Sequence, residues 1–287
     1  MKILECKNLT KEYKSGDISV KALDNVTLQF EKGEFCAVTG PSGSGKSTLL
    51  HILSSLERPT GGEIFYDGKS LLKYNDNQLS ILRRRRFGFV FQSYNLVQEL
   101  TGLENILLPV MLDRKKPDEG YINRLIEVLG IGDRVEHLPS ALSGGQQQRI
   151  AVARALANKP TVLFADEPTG NLDVKSGKEV LALLKQVIRE LDITLILVTH
   201  DPHIAAMADR VVTIVDGGVK EDTAAAKEEN AAVGEGSSAN KEENTAVGEG
   251  SSANKEENAA KNGADAASDG VDTSEKSAVT LTEGEAE

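Results

Sequence analysis

Residues 40–47, GPSGSGKS, constrain the fold of this chain more than any other segment. They fit the pattern G-x-x-x-x-G-K-[ST] and stand between a strand-like run, FCAVTG, and a helix-like run, STLLHILSSL. Glycines let a backbone turn tightly so that its N–H groups point inward onto phosphate oxygens, and the following helix adds the positive end of its dipole. A Gly/Ser-rich loop that matches by chance is the alternative, but strand, loop and helix in this order are the context that a phosphate-binding loop requires.

The residues of this loop have separate expected roles toward a nucleoside triphosphate. Lys46 is expected to place its cation on the β- and γ-phosphates, Ser47 to bind Mg²⁺ through its hydroxyl, and Thr48 to contact the α-phosphate. The remaining residues are expected to surround the phosphates, mainly through backbone N–H groups: Gly40, Pro41, Ser42, Gly43, Ser44 and Gly45.

A second chemical signal follows the apolar run TVLFA at residues 161–165, which ends in Asp166 and Glu167. In a parallel sheet, ligands gather at the carboxyl ends of the strands, so Asp166 is expected beside Ser47, holding Mg²⁺ through water. Glu167 is expected to face the γ-phosphate and to polarise the attacking water. Alone, two strand-end carboxylates are often only turn formers; together with the phosphate loop they indicate nucleotide hydrolysis.

The first 220 residues alternate strand-like and helix-like segments. The strand candidates are 3–9, 21–30, 34–39, 63–66, 87–91, 161–165, 194–199 and 210–215. The helix candidates are 46–56, 76–84, 103–113, 117–129, 144–158, 176–191 and 202–208. Continuous apolar runs such as VLFA and LILV are typical of parallel strands covered on both faces. Residues 93–159 are almost purely helical, which predicts a helical subdomain inserted into an α/β core.

Residues 221–287 differ in composition from the rest of the chain. They hold 17 of the 44 acidic residues and 5 of the 33 basic ones, so the net charge of −11 belongs to this segment. A 14-residue repeat, KEENAAVGEGSSAN and then KEENTAVGEGSSAN, starts at residue 227. The segment has too little apolar surface to offset its ordering entropy. We therefore predict a disordered acidic tail after a body of residues 1–220, with a charged spacer or binding tail as the alternative.

Composition also excludes several classes of protein. No stretch approaches the roughly 20 apolar residues of a membrane span, and the N-terminus lacks the apolar core of a signal peptide. Cys6 and Cys36 lie in apolar runs without metal-site spacing, so we expect reduced core residues rather than a disulfide or a metal site. The nearly neutral body argues against a nucleic-acid partner.

Four consecutive arginines, residues 83–86, leave two interpretations open. A basic run at a helix end suits the helix dipole and is usually a solvated face. The alternative is a contact with anionic lipid headgroups or with a partner's cytoplasmic face.

Residues 142–149 read LSGGQQQR, and with them the chain resembles the ATP-binding cassette (ABC) ATPase family over residues 1–220. The resemblance depends on an ordered set of elements: Tyr13, GPSGSGKST at 40–48, Gln92, LSGGQ at 142–146, LFADEPT at 163–169, NLD at 171–173, and His200. It implies an α/β fold, in which a phosphate-loop ABC ATPase core with a parallel sheet carries an antiparallel β subdomain and an inserted helical subdomain.

The resemblance also implies roles for residues outside the phosphate loop. Tyr13 matches the aromatic residue that stacks on adenine, although it would otherwise read as a surface tyrosine. Gln92 matches the glutamine that contacts Mg²⁺ and the attacking water, although alone it would read as a strand terminus. His200 matches the histidine that touches the γ-phosphate, where a lone strand-end histidine is usually structural. Asp173 matches the loop that links two ATP sites.

The LSGGQ element is the signature loop of the family, and it implies a dimer. Ser143, Gly144, Gly145 and Gln146 are expected to bind the γ-phosphate held by a second copy of the chain. The implied activity is hydrolysis of ATP to ADP and phosphate, with Glu167, His200, Gln92 and Lys46 as catalytic residues and ATP and Mg²⁺ bound. Metal contacts are expected from Ser47, Gln92 and Asp166.

Within the family, the sequence looks like the macrolide-exporter, lipoprotein-release and cell-division branch. This implies a homodimer that drives conformational work in a membrane permease, for export or extraction of a peptide, lipoprotein or drug. The permease is expected to dock near the segment from Ser93 to Leu103, placing the chain in the cytoplasm on the inner face of the membrane. The alternative is a non-transporting ATPase that regulates cell-wall hydrolysis or cell division. A soluble cassette protein of DNA repair or translation ranks lower, since the chain has one cassette and no heptad run.

Overall fold

The structure, a computed structural model, describes residues 1–16 and 18–224. Its strands are β1 (Lys2–Ser15), β2 (Ile18–Glu31), β3 (Phe35–Thr39), β4 (Gly61–Tyr66), β5 (Lys69–Ser70), β6 (Phe87–Phe91), β7 (Val162–Asp166), β8 (Thr194–Val198), β9 (Arg210–Val215) and β10 (Gly218–Ala224). Its α-helices are α1 (Lys46–Leu53), α2 (Asp76–Arg86), α3 (Gly102–Leu112), α4 (Glu119–Val128), α5 (Gly144–Leu156), α6 (Val174–Glu190) and α7 (Pro202–Ala205). Short 3₁₀ turns span Leu71–Lys73 and Pro139–Ala141.

The central sheet has the strand order β10-β9-β3-β8-β7-β6, and its strands are parallel except for the antiparallel pair β9–β10. The apolar runs of β7 and β8 are buried on both faces, as continuous hydrophobic strands require. Along β7, Leu163 packs in one hydrophobic core and Phe164 in the other. The predicted α/β fold with a parallel sheet is confirmed, and the carboxyl ends of its strands meet at one edge.

A second, antiparallel sheet has the order β2-β1-β4-β5 and confirms the antiparallel β subdomain. Its first two strands are longer than the predicted 3–9 and 21–30. Beyond Leu9 the two strands continue as a polar, largely exposed ribbon with register shifts, so the hydrophobic alternation that marks a strand disappears there. Cys6 and Cys36 are buried free cysteines, as expected of reduced core residues, and burial raises the pKa of the Cys6 thiol to about 12.

The segment between β6 and β7 contains α3, α4 and α5, as the helical pattern predicted. These helices share one hydrophobic core with α6 and one face of the central sheet; fully buried members include Ile106, Ile131 and Ile150. The other face packs against α1 and the antiparallel sheet. The central sheet is therefore covered on both sides, which leaves its strand ends as the accessible edge.

The side chains of Arg83, Arg84 and Arg85 make intramolecular hydrogen bonds, which neither interpretation of the run anticipated. Arg83 donates to the Ser55 carbonyl (2.8 Å). Arg84 and Arg85 reach the fully buried carboxylate of Asp113 at 3.0 and 2.8 Å. Burial opposes ionisation of Asp113, but its hydrogen bonds, including one to Lys115, lower its pKa to about 2. The run thus ties α2 to the end of α3.

The chain continues as β10 past Lys220, where composition placed the end of the body. Arg210 of β9 holds this strand by two hydrogen bonds to the Asp222 carboxylate. Its sequence, GVKEDTA, is polar because it forms the edge of the sheet, so no hydrophobic run marked it. The predicted disordered tail and its 14-residue repeats lie outside the described residues. Within residues 1–16 and 18–224, no helix combines the length and apolar character needed to cross a membrane.

Candidate active site

The phosphate loop connects β3 to α1, and its backbone admits only glycine at two positions. Gly40 has φ 140° and Gly45 has φ 101°. A Cβ at Gly40 would lie 2.0 Å from the Ile214 carbonyl oxygen, and one at Gly45 would lie 2.2 Å from that of Ala22. The loop is therefore pressed against its own sheets, which fixes its shape before any ligand arrives.

Lys46, at the start of α1, lies across this loop. Its ammonium group donates to the carbonyls of Gly40 (3.0 Å) and Pro41 (2.7 Å), and the residue is only 8% exposed. The helix begins without a side-chain cap, because Gly45 is its N-cap residue. Its first N–H groups thus have no side-chain oxygen to bind, and a phosphate group can supply one.

Ser47 and Asp166 are brought together as the sequence predicted. The Ser47 hydroxyl donates to the Asp166 carboxylate at 3.2 Å, joining the first turn of α1 to the carboxyl end of β7. Burial raises the pKa of Asp166, against the lowering effect of the Ser47 hydrogen bond. A hydroxyl and a carboxylate at this distance are hard oxygen donors of the kind that Mg²⁺ prefers, so the two residues fit this ion.

Glu167 follows Asp166 in a strained conformation. Its φ of 45° is rare outside glycine and costs on the order of 1 kcal/mol. The backbone N–H of Glu167 donates to the Val198 carbonyl (3.0 Å), and its side chain lies 3.0 Å from the Nδ1 atom of His200. The His200 side chain is 71% exposed. Two predicted catalytic residues, from the ends of adjacent strands β7 and β8, thus form one hydrogen-bonded pair facing solvent.

Gln92, at the end of β6, is paired with a residue that the sequence did not single out by itself. Its amide donates to the Asn171 side chain (3.2 Å), and Asn171 returns a hydrogen bond to the Gln92 carbonyl (3.0 Å). The carbonyl of Asn171 also accepts from the Tyr94 hydroxyl (3.3 Å). Gln92 is therefore held beside the loop that follows Glu167, rather than against Ser47.

Tyr13 lies on the ribbon of β1 and β2, and the residue is 42% exposed. Its hydroxyl donates to Glu57 (2.7 Å), and Lys11 sits 5.0 Å from the ring centre. Burial and Glu57 raise the pKa of Tyr13, while the nearby Thr48 hydroxyl lowers it. Tyr13 therefore stands next to the helix that carries the phosphate loop. Val20 is directly opposite it in the strand register and extends the same exposed apolar face.

The signature residues form the start of α5. Ser143 caps the helix by accepting from the Gln146 N–H (3.3 Å), and the Gln146 side chain accepts from the Ser143 N–H (2.9 Å). A Cβ on Gly144 would come within 2.8 Å of the Tyr94 hydroxyl. One on Gly145 would come within 3.4 Å of Ser176. The structure therefore places this helix start between Tyr94 and α6, separate from the contacts of Lys46.

Asp173 has a local role that the linking-loop assignment did not include. Its carboxylate caps α6 by accepting from the N–H groups of Lys175 (3.1 Å) and Ser176 (3.0 Å). Hydrogen bonds from the Ser176 side chain and from these backbone N–H groups lower the pKa of Asp173. The helix therefore starts at Val174, two residues before the predicted start at 176. An Asp three residues before Ser176 was the available signal for this cap.

The predicted docking segment runs without regular structure from β6 to α3, and one buried side chain shapes it. The Asn105 amide donates to the carbonyls of Val97, Leu100 and Thr101, each at 3.0 Å. Its oxygen accepts from the Val97 N–H at 2.8 Å.

Next to this segment, a groove of about 490 Å³ lies along β6 between α2 and α3. Its apolar lining includes Phe89, Phe91, Leu56, Leu108 and Leu112, and its basic lining includes Arg83, Arg84 and Arg154.

Comparison with known proteins places these features in one family. The ABC transporter family profile matches residues 23–170. An uncharacterized ABC transporter ATP-binding protein of Methanocaldococcus jannaschii is 47% identical over 223 residues, which is 76% of this chain and 98% of that protein. The macrolide export ATP-binding/permease protein MacB of Marinobacter nauticus is 44% identical over 225 residues, which is 78% of this chain but 35% of that longer protein.

A solved structure agrees with the fold. The dimeric post-hydrolysis state of the M. jannaschii cassette MJ0796, bound to ADP and Pi, superposes with a TM-score of 0.71. It is 41% identical in sequence, and the match covers 77% of this chain and 98% of that one. A cassette of the same fold therefore holds the products of ATP hydrolysis as a dimer.

Proposed function

Because this chain belongs to the ABC transporter ATP-binding family, and is an ATP-binding ATPase of that family, we propose that it powers a membrane permease. Two copies bind two ATP molecules with Mg²⁺, close, hydrolyse the ATP and separate, and the permease carries out export or extraction of a peptide, lipoprotein or drug. The observation that carries this proposal is the alignment of Lys46, Ser47, Asp166, Glu167 and His200 along one edge of the central sheet.

The chain's own residues supply positioning and charge. Lys46 exchanges its two loop carbonyls for phosphate oxygens, and the N–H groups at the start of α1 bind the same anion. Ser47 and Asp166 would hold Mg²⁺, which would neutralise charge on the phosphates. Phosphoryl transfer needs little covalent chemistry from the protein, so this arrangement covers most of what the reaction requires.

Glu167 and His200 orient the water that attacks. The Glu167 carboxylate faces solvent beside the strand ends and accepts a proton from that water, which makes it the general base. His200 holds the carboxylate in place and reaches the γ-phosphate. Gln92 donates to Asn171, and with ATP bound its side chain would instead be available to contact Mg²⁺ and the attacking water.

Dimerisation follows from what each copy lacks. The start of α5 has phosphate-binding N–H groups and two small glycines, but no cation and no metal-binding carboxylate in its first turn. We assign this helix start to the γ-phosphate of the second copy, and Asp173 to the contact between the two sites. The dimeric MJ0796 cassette and the two-fold symmetry common among homo-oligomers support this arrangement.

The groove beside β6 is assigned to the permease. It combines exposed leucines with arginines, and Leu112 is 61% exposed. An apolar helix with acidic residues, projecting from the cytoplasmic side of a membrane protein, has the complementary surface. The fusion of the ATP-binding part to a permease in MacB supports a membrane partner. The chain is then held at the inner face of the membrane through that partner.

The test is affinity capture of the full chain from detergent-solubilised membranes of its own host. We expect a multi-span membrane protein to be retained by the wild type and lost with Leu112→Asp. Leu72→Asp, which alters an exposed leucine outside the groove, is the matched control and should retain it. Retention by the Leu112 variant would overturn the docking site, and capture of only soluble proteins by the wild type would overturn the transport role.

A further inference from the structure

Gln148 is the third glutamine of LSGGQQQR, and no role was assigned to it from the sequence. It lies one turn into α5 and is fully buried, whereas Gln146 and Gln147 are partly exposed. Its amide nitrogen donates to the Pro168 carbonyl at 2.5 Å and to the Phe91 carbonyl at 3.4 Å. A single side chain thus connects the signature helix to the end of β6 and to the turn that follows β7.

The two carbonyls occupy informative positions. Phe91 is the last residue of β6 and precedes Gln92, while Pro168 directly follows Glu167. Phe91 also pairs with Asp166 in the strand register, so the two strand ends lie side by side. Gln148 therefore holds the backbone next to the residue assigned to the metal and water and next to the residue assigned as the base.

Gln148 lies at the same end of α5 as the signature loop, one turn further along the helix. The first turn of α5 is the signature loop, closed by the reciprocal hydrogen bonds of Ser143 and Gln146. An α-helix moves as a rigid element, so a shift or rotation of this first turn carries Gln148 with it. The same movement then displaces the carbonyls of Phe91 and Pro168.

The hydrogen bonding of Gln148 is incomplete, which fits a functional residue better than a structural one. Its side-chain oxygen is buried and has no hydrogen-bond partner among residues 1–16 and 18–224. A buried acceptor without a partner is destabilising, so an apolar side chain of similar size would serve packing alone at least as well. The Gln148 amide, unlike an apolar side chain, can donate hydrogen bonds to the carbonyls of Phe91 and Pro168.

We propose that Gln148 is a positioning residue that couples contact at the signature loop to the placement of Glu167 and Gln92. The inference depends on the proposed dimeric ATP site. When the signature loop of one chain contacts nucleotide on the second copy, Gln148 changes the rate of hydrolysis in its own chain. The affinity of that chain for ATP is unchanged.

The first experiment replaces the donor and keeps the volume. In Gln148→Met, kcat should fall by about 10-fold or more, because small displacements of catalytic groups are costly to rate. The dissociation constant for ATP, measured with Glu167→Gln added to prevent turnover, should change by less than about 2-fold in the same comparison. Gln147→Met is the matched control, since the Gln147 side chain donates to the Leu142 carbonyl and, within residues 1–16 and 18–224, to no group of β6 or of the turn after β7. It should keep kcat.

A second experiment remains decisive if the methionine variant does not fold. Gln148→Asn keeps an amide but is one methylene too short, and we would combine it with Ser143→Ala in a double-mutant cycle on kcat. Coupling predicts that the double variant is clearly less impaired than the product of the two single effects. Multiplicative effects would overturn the proposal, as would a loss of kcat matched by an equal loss of ATP affinity. A wild type without ATPase activity would instead refute the proposed function itself.

Discussion

Two glycine-rich helix starts in this molecule, those of α1 and α5, share a chemistry but differ in construction. At α1, Gly40 and Gly45 take left-handed conformations, Lys46 is buried across the loop, and Ser47 reaches Asp166. At α5, the glycines are helical, the exposed Ser143 supplies an ordinary capping box, and the first turn contains no charged residue.

The two helix starts are therefore unequal halves of a phosphate site. The first holds its shape through contacts with both sheets and already contains its cation and its carboxylates. The second has backbone N–H groups and open space but no cation or carboxylate. Its N–H groups can bind a phosphate only when a second molecule carries that phosphate to them. Substitutions in either half, and truncations outside both, are expected to have separable effects.

The largest effect is expected from removing the base on the α1 side. Glu167→Gln should keep ATP binding, lower kcat by about 1,000-fold, and accumulate an ATP-bound dimer, since general-base catalysis contributes on the order of 10²–10⁴. Phosphate release and light scattering with ATP measure these outcomes. Glu190→Gln, an exposed glutamate at the end of α6, is the control. Normal hydrolysis by the Glu167 variant would show that the base is misassigned.

The next largest effect is expected from Ser143→Asp, which alters the α5 half and keeps a helix cap. Aspartate is as good an N-cap as serine, so Ser143→Asp should keep stability while its charge repels a phosphate. We expect unchanged ATP binding by the monomer, about 100-fold slower hydrolysis, and no ATP-driven dimer. The same change at Asn75, the cap of α2, is the matched control. A simultaneous loss of monomer ATP binding would place the signature loop in its own chain's site.

A smaller effect is expected at the adenine end of the α1 half. Tyr13→Ala should raise the KM for ATP by about 10-fold, because stacking of a base on an aromatic ring contributes on the order of 1–3 kcal/mol. Tyr13→Phe keeps the ring and loses only the hydrogen bond to Glu57, so it should resemble the wild type. If the KM for ATP rises in the phenylalanine variant and not in the alanine one, the stacking role is wrong.

The smallest effect concerns the region outside both halves. Truncation after Ala224 should leave kcat and the KM for ATP unchanged. Truncation after Lys220 should lower the melting temperature by at least about 2 °C, the shift that roughly 1 kcal/mol produces in a domain of this size. Truncation after Lys220 deletes Asp222, which accepts two hydrogen bonds from Arg210, and it deletes about half of β10. A strong loss of ATPase activity after the first cut would give the acidic segment a role in catalysis.

The sequence predicted the elements whose chemistry is local. The phosphate loop, the buried strands and the Ser47–Asp166 pair each follow from a motif or a hydrophobic run. The exposed ribbon of β1 and β2 and the polar edge strand β10 carry no such pattern, so their extent depends on tertiary pairing.

Side-chain partners of the site were harder to predict. Asn171 pairs with Gln92 across 79 positions of sequence, which no spacing rule encodes. Gln148 had a weak signal, because it stands three and four residues before the buried Ala151 and Val152 and so lies on the buried face of α5. Because three glutamines are adjacent, the sequence does not indicate which one is buried.

The most direct test of the two-halves account mixes two inactive variants. Lys46→Ala damages the α1 half and Ser143→Asp the α5 half, so each homodimer lacks an intact site, whereas a mixed dimer contains one. The ATPase rate of an equimolar mixture should therefore rise well above that of either variant, toward about a quarter of the wild-type rate if the copies pair at random. A mixture no more active than its two components would contradict an ATP site shared between two copies of this chain.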